Sequence, residues 1–103
     1  MAQPSPIPGL TELRVQIDAL DSQLLDLLNQ RARLSLAVGQ AKIRAGNASV
    51  YDPAREAQLL ASLAERNPGP LTPEHIKAIW GEIMAASRSL QTQMCASDTD
   101  TAE

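Results

Sequence analysis

The sequence predicts an all-α fold built from three helices, of which the first is long, the second short and the third long. Two long stretches carry apolar residues at alternating spacings of three and four, which is the period of a packed helix. Two short stretches combine a capping residue with a following proline, which is typical of a helix start. No stretch alternates apolar and polar residues as a half-buried strand does.

The first helix is predicted from Thr11 to about Ala45, a stretch that contains no proline. At ~1.5 Å per residue, a helix of this length extends for about 50 Å. Its apolar positions form a heptad-like row, the first-helix seam, which consists of Leu13, Ile17, Leu20, Leu24, Leu27, Arg31, Leu34, Val38, Ala41 and Ala45.

Gly46 and Asn47 interrupt this pattern, and a second helix is predicted to follow. Asp52 is a favourable N-cap residue and Pro53 suits the first helical position, so this helix runs from Pro53 to about Arg66.

The third helix repeats the same start signal, with Thr72 as the cap and Pro73 as the first helical residue. It is predicted to end near Met94. Its apolar row is interrupted by one polar residue and reads Ile76, Trp80, Ile83, Ser87, Leu90 and Met94. The chain thus divides into a flexible lead (1–9), one helical domain (10–94) and a disordered tail (95–103).

The length of the first helix predicts an oligomer. A helix of about 50 Å extends beyond what the two shorter helices of the same chain can cover. Its seam needs another apolar partner, and a second copy of the chain supplies one. We therefore expect an intertwined helical-bundle homodimer.

Composition limits the classes of partner and compartment. The formal net charge of −3 weighs against nucleic acid or an anionic membrane as the main partner. Neither a secretory signal nor a membrane-spanning run is evident in the sequence. Cys95 is the single cysteine, which excludes an internal disulfide and favours a reducing compartment, so we expect a cytoplasmic protein. No metal-ligand or phosphate-loop motif is present.

Two cations interrupt the apolar pattern of the first helix. Arg31 occupies a seam position, and Lys42 lies three turns further along nearly the same face, about 16 Å away. A buried cation is costly unless it is paired, so a small anion such as a dicarboxylate would suit this face. Alternatively, Arg31 extends to solvent while its stem packs, and Lys42 merely complements the helix dipole.

The polar residues of the other helices have two interpretations as well. Between packed helices they would complete a ligand site. Otherwise Asp52 is only an N-cap and Glu56 a first-turn acid, while Ser87 bonds back to its own helix and Gln91 lies at the surface.

Five segments in this order carry a family resemblance: "LRVQIDALDSQLLDLLNQR", "VGQAK", "VYDPAREAQLL", "GPLTPEHI" and "IWGEIMAASRSLQ". They resemble the all-helical AroQ class of chorismate mutases, and most of all the mutase domain of bifunctional chorismate mutase–prephenate dehydratases. The resemblance covers about residues 10–93. It implies a substrate-binding set that comprises Arg14, Arg31, Lys42, Asp52, Arg55, Glu56, Ser87 and Gln91, of which Arg31, Lys42, Glu56 and Gln91 would be catalytic.

The spacing of two of these arginines is informative. Arg14 and Arg31 are 17 residues apart, which is ~25 Å along a straight helix and ~100° around it. One copy of the helix therefore cannot easily hold a small ligand with both. If both bind one substrate, Arg14 comes from the partner chain, which is the arrangement that the resemblance implies.

The implied activity is that of an isomerase, which rearranges chorismate to prephenate in phenylalanine and tyrosine biosynthesis without metal or cofactor. Two alternatives remain from the sequence. One is an isochorismate-pyruvate lyase on the same scaffold, and the other is a non-catalytic helical dimerisation or regulatory module.

Overall fold

The computed structural model describes residues 9–47 and 49–101, with side chains described as far as Met94. It contains three helices: α1 (Leu10–Arg44), α2 (Pro53–Arg66) and α3 (Pro73–Thr101). No strand occurs in these described ranges. The all-α prediction of a long, a short and a long helix is confirmed, while the lead predicted for residues 1–9 lies, apart from Gly9, outside the described residues.

The starts of α2 and α3 agree with the predicted caps. The Asp52 side chain accepts a hydrogen bond from the backbone N–H of Arg55 at 3.1 Å, and Pro53 is the first helical residue. Thr72 accepts from the backbone N–H of His75 through Oγ1, and the His75 ring accepts from the backbone N–H of Thr72. This reciprocal pair acts as a capping box in which a histidine replaces the usual Glu or Gln.

The end of α1 is fixed by backbone geometry. Gly46 adopts φ +77°, a left-handed conformation that glycine accepts without strain. The N–H of Gly46 bonds to the carbonyl of Ile43, and the N–H of Asn47 bonds to that of Lys42, as in a Schellman motif. The predicted break at these two residues is therefore confirmed.

The end predicted for the third helix near Met94 is wrong, because α3 continues to Thr101. The residues beyond Met94 are mostly polar, but none up to Thr101 is a proline or a glycine, so no residue there breaks the helical backbone. The tail predicted for residues 95–103 is thus helical at 95–101.

The chain divides into two compact units, one up to Arg31 and one from Ala32 onward. The first unit is the N-terminal part of α1, and its large apolar side chains are exposed, Leu20 to 58%. In the second unit α2 packs against α3, where Ile76 and Met84 are buried. None of the helices in the described ranges is long and apolar enough to cross a membrane.

Candidate active site

Among the described side chains of the second unit, Gln91 is the most enclosed polar one. It is only 7% exposed, and its Nε2 donates a hydrogen bond of 2.7 Å to the backbone carbonyl of Ser35 on α1. The interpretation of Gln91 as a surface residue is therefore wrong. An amide nitrogen carries two hydrogens, so the bond to Ser35 leaves a second one for a bound ligand.

Two serines extend this contact between α1 and α3. Ser35 Oγ donates to Ser87 Oγ at 3.1 Å, and Ser87 Oγ donates to the backbone carbonyl of Ile83 at 3.2 Å. Ser87 thus bonds back to its own helix, as one of the two sequence interpretations proposed. The sequence did not predict Ser35 as a polar contact. In the structure, Ser35 connects both Ser87 and Gln91 of α3 to α1.

Gly39 explains how α1 comes so close to Gln91. It is the buried residue of α1, and a Cβ at this position would clash with the terminal methyl group of Met94 and lie 3.3 Å from Cγ of Gln91. Glycine inside a helix costs about 1 kcal/mol relative to alanine. Here the missing side chain makes room for the Met94 methyl group and for the aliphatic part of the Gln91 side chain.

Lys42 follows Gly39 by one helical turn and is half-buried. Its Nζ donates to the backbone carbonyl of Ser49, in the loop before α2, at 3.1 Å. An ammonium group has three donors, so this bond leaves donors for a ligand. Lys42 also lies in the last turn of α1, where its charge complements the helix dipole.

Glu56 is held by a residue that sequence reasoning missed. Its Oε2 accepts from Nη1 of Arg88 on α3, in an ion pair whose side chains are 22% and 33% exposed. The Arg88 guanidinium also lies over the ring of Tyr51, with its carbon 5.2 Å from the ring centroid. A signal for this pairing existed, because Glu56 shares the apolar face of α2 with Leu60 and an acid there needs a cation.

Asp52 and Arg55 lie at the exposed start of α2. The carboxylate of Asp52 is engaged as the N-cap through its bond to the Arg55 backbone. A ligand-binding role for either side chain stays a prediction.

The described partners of the charged residues in the second unit show which charges are already paired. Glu56 is paired with Arg88, and Asp52 caps α2, so neither predicted acid is engaged with Lys42. The described partner of Lys42 is a neutral carbonyl group. The second unit thus contains a cation on α1 whose described partner is neutral and a buried amide on α3. A shared ligand for the two stays a prediction.

Six of the predicted residues belong to the second unit, namely Lys42, Asp52, Arg55, Glu56, Ser87 and Gln91. Among them, Ser87 and Gln91 are joined through Ser35. Arg14 is exposed and Arg31 half-buried, and both belong to the first unit. Their participation in a site with the predicted residues of the second unit stays a prediction. Within the described ranges, no group of three or more His, Cys, Asp or Glu residues is arranged to hold a metal ion.

Comparison with known proteins assigns a family. The model of the family described as "Chorismate mutase type II" matches residues 13–92. The chain belongs to this family. The match includes every predicted site residue, and it confirms the resemblance inferred from the sequence motifs.

The curated proteins that are similar in sequence support this family assignment. The chain is 40% identical over 86 residues to the bifunctional chorismate mutase/prephenate dehydratase of Stutzerimonas stutzeri, in an alignment that covers 80% of this chain and 24% of that protein. The chain therefore spans about a quarter of the curated relatives that it matches first.

Solved structures share the fold over most of their length. A chorismate mutase from Thermus thermophilus superposes with a TM-score of 0.78 at 36% identity, covering 81% of this chain and 93% of that one. A chorismate mutase from Helicobacter pylori, solved in complex with prephenate, superposes with a TM-score of 0.76 at 33% identity, covering 82% and 90%.

Proposed function

We propose that this chain is a chorismate mutase, an isomerase that converts chorismate to prephenate. The observation that carries the proposal is the buried Gln91 amide, held against Ser35 with one N–H to spare, in a chain of the type II chorismate mutase family. The Helicobacter pylori relative, solved with prephenate, supports the same ligand chemistry. The test is the consumption of chorismate by the purified protein with identification of the product.

The proposed reaction is a Claisen rearrangement within one molecule. A C–O ether bond breaks while a C–C bond forms, so the enzyme need supply no nucleophile. It must hold the substrate in a folded shape and stabilise the charge that grows on the ether oxygen. Fixed hydrogen-bond donors in a site that excludes water meet the second need.

The donors of the second unit fit the reacting end of the substrate. Lys42 and Gln91 donate to the ether oxygen as negative charge develops there. Glu56, together with the backbone near Asp52, binds the ring hydroxyl group, and Arg55 supports the edge of the pocket.

The two substrate carboxylates require cations with forked donors. Arg31 and the Arg14 of a second copy hold them, with help from Ser87. This division follows from the ~25 Å that separates the two arginines along one helix. The proposed assembly is accordingly an intertwined homodimer with two active sites, each of which contains residues of both chains.

The exposed apolar residues of α1 support the dimer. Leucine and isoleucine side chains that define the first-helix seam are largely exposed in the single chain, namely Leu13, Ile17, Leu20, Leu24 and Leu27. Exposed apolar area of this extent on one helix face is typical of an interface. A second copy that buries it would complete both the core and the arginine pair.

The proposal also includes the bounds of the domain, its cellular location and its pathway. We place the mutase domain at 10–94, within which the family match falls. The relatives named bifunctional chorismate mutase/prephenate dehydratase support a role in aromatic amino acid biosynthesis. The single cysteine supports a cytoplasmic location.

Replacement of Gln91 by glutamate tests the donor role. A carboxyl group donates a hydrogen bond only when it is protonated, whereas an amide donates at any pH. We expect Gln91→Glu to lose about a hundredfold in kcat at neutral pH and to recover activity as the pH falls. The measurement is kcat against pH for Gln91→Glu, for the wild type and for Gln93→Glu, which alters an exposed residue of the same helix.

The donor role is decided by comparing how kcat depends on pH in the three proteins. The wild type and Gln93→Glu should lack the acid-dependent rise that Gln91→Glu shows. A Gln91→Glu profile that parallels the wild type at every pH would contradict the assignment of Gln91 as the donor.

A further inference from the structure

We propose that Arg88 is a positioning residue that orients Glu56 toward the ring hydroxyl group of the substrate. This inference rests on the proposed function and deepens it, because it names the residue that sets the geometry of hydroxyl recognition. Arg88 is outside the set of residues that the family resemblance implies.

The ion pair constrains the carboxylate of Glu56. Arg88 Nη1 donates to Oε2, so Oε1 is the oxygen whose acceptor sites are both left for an incoming hydroxyl group. Glu56 lies near the N-terminus of α2 and Arg88 on α3, so the bond also joins two helices. A glutamate without this partner would sample several rotamers, and its fixed acceptor position would be lost.

Tyr51 holds the guanidinium group from a third segment. The Arg88 guanidinium lies over the ring of Tyr51, the residue directly before Asp52. Arg88 therefore links α3, α2 and the loop that carries the backbone proposed to meet the same hydroxyl group. Contact with the aromatic face restricts the guanidinium group, and this in turn restricts Glu56.

Charge gives a second reason for this arrangement. Chorismate is a dianion, and an uncompensated carboxylate in its site would repel it. With Arg88 beside it, Glu56 accepts a hydrogen bond while its charge is compensated. An ion pair that served stability alone would affect unfolding and leave substrate binding unchanged.

The test is steady-state kinetics on chorismate with the full chain, after circular dichroism has confirmed the helical fold of each variant. Arg88→Gln should raise KM about tenfold while kcat changes less than about threefold. Arg66→Gln is the matched control, since Arg66 is exposed and its described bond is to Ser62 of its own helix. It should retain the wild-type KM.

A double-mutant cycle with Glu56 tests whether Arg88 acts through Glu56. In a Glu56→Gln background, Arg88→Gln should raise KM less than about twofold further, because the carboxylate it positions is gone. Arg88→Lys should give a KM between the wild type and Arg88→Gln, since lysine restores the charge without the planar fork. If Arg88→Gln does not fold, Arg88→Lys carries the test, and its KM should rise at least about threefold.

The outcomes separate this inference from the proposed function. A wild-type protein that does not consume chorismate would overturn both. The role of Arg88 alone would be overturned if the wild type converts chorismate but Arg88→Gln has the same KM as Arg66→Gln. If Arg88→Gln does not fold, the same comparison is made with Arg88→Lys. The same tenfold rise in the Glu56→Gln background would overturn the action through Glu56.

Discussion

Lys42→Ala is expected to lower kcat on chorismate by about a hundredfold or more, whereas Lys77→Ala leaves it unchanged. The ammonium group of Lys42 is proposed to face the ether oxygen when that atom gains negative charge. A donor fixed in advance at such a position acts mainly on the transition state, so the loss should appear in kcat. The exposed Lys77 of α3 has no such role.

Lys42 also holds the Ser49 carbonyl, so its loss could loosen the loop before α2. Thermal unfolding of both variants, measured beside the kinetics, separates this structural effect from the catalytic one. A melting temperature close to that of the wild type, together with the large loss in kcat, supports the catalytic role. Equal kcat values for Lys42→Ala and Lys77→Ala would exclude Lys42 from the site.

Arg14→Ala and Arg31→Ala should each be nearly inactive as homodimers, and a mixture of the two should regain activity. Each arginine is proposed to hold one carboxylate of the substrate, Arg31 from one protomer and Arg14 from its partner. In a mixed dimer, one site receives both intact arginines and the other receives neither. Random re-association of equal amounts makes half of the dimers mixed, so about a quarter of the wild-type activity should return.

The measurement is the chorismate mutase rate after joint unfolding and refolding, with the fraction of mixed dimers determined by differently tagged chains. Each variant refolded alone is the control and should stay inactive. Mixed dimers that form without any return of activity would contradict the shared site. Substantial activity of either variant alone would contradict the role of that arginine.

The helices and their starts could be predicted from local chemistry. Asp52 with Pro53, and Thr72 with Pro73, are strong signals because the cap and the fixed φ of proline act within a few residues. Gly46 likewise marks the end of α1, since a left-handed residue is needed there. The end of α3 was wrongly predicted because polarity weakens a helix without terminating it, and no proline or glycine stops this one before Thr101.

The candidate site was only partly accessible from the sequence. Helix periodicity predicted Arg31 and Ser87 within apolar rows, where a polar residue stands out, and Lys42 on nearly the same face as Arg31. Periodicity on one helix does not tell which residues of another helix it meets. The contact of Gln91 with the Ser35 backbone and that of Arg88 with Glu56 depend on how helices pack, so they required the structure.

The central claim is tested most directly by incubating the purified protein with chorismate and identifying the product by NMR, which distinguishes the two isomers. Our account predicts that chorismate is converted to prephenate, with no added metal or cofactor, and that the rate falls sharply in Lys42→Ala. Loss of chorismate no faster than its uncatalysed rearrangement, or conversion to a product other than prephenate, would contradict the account.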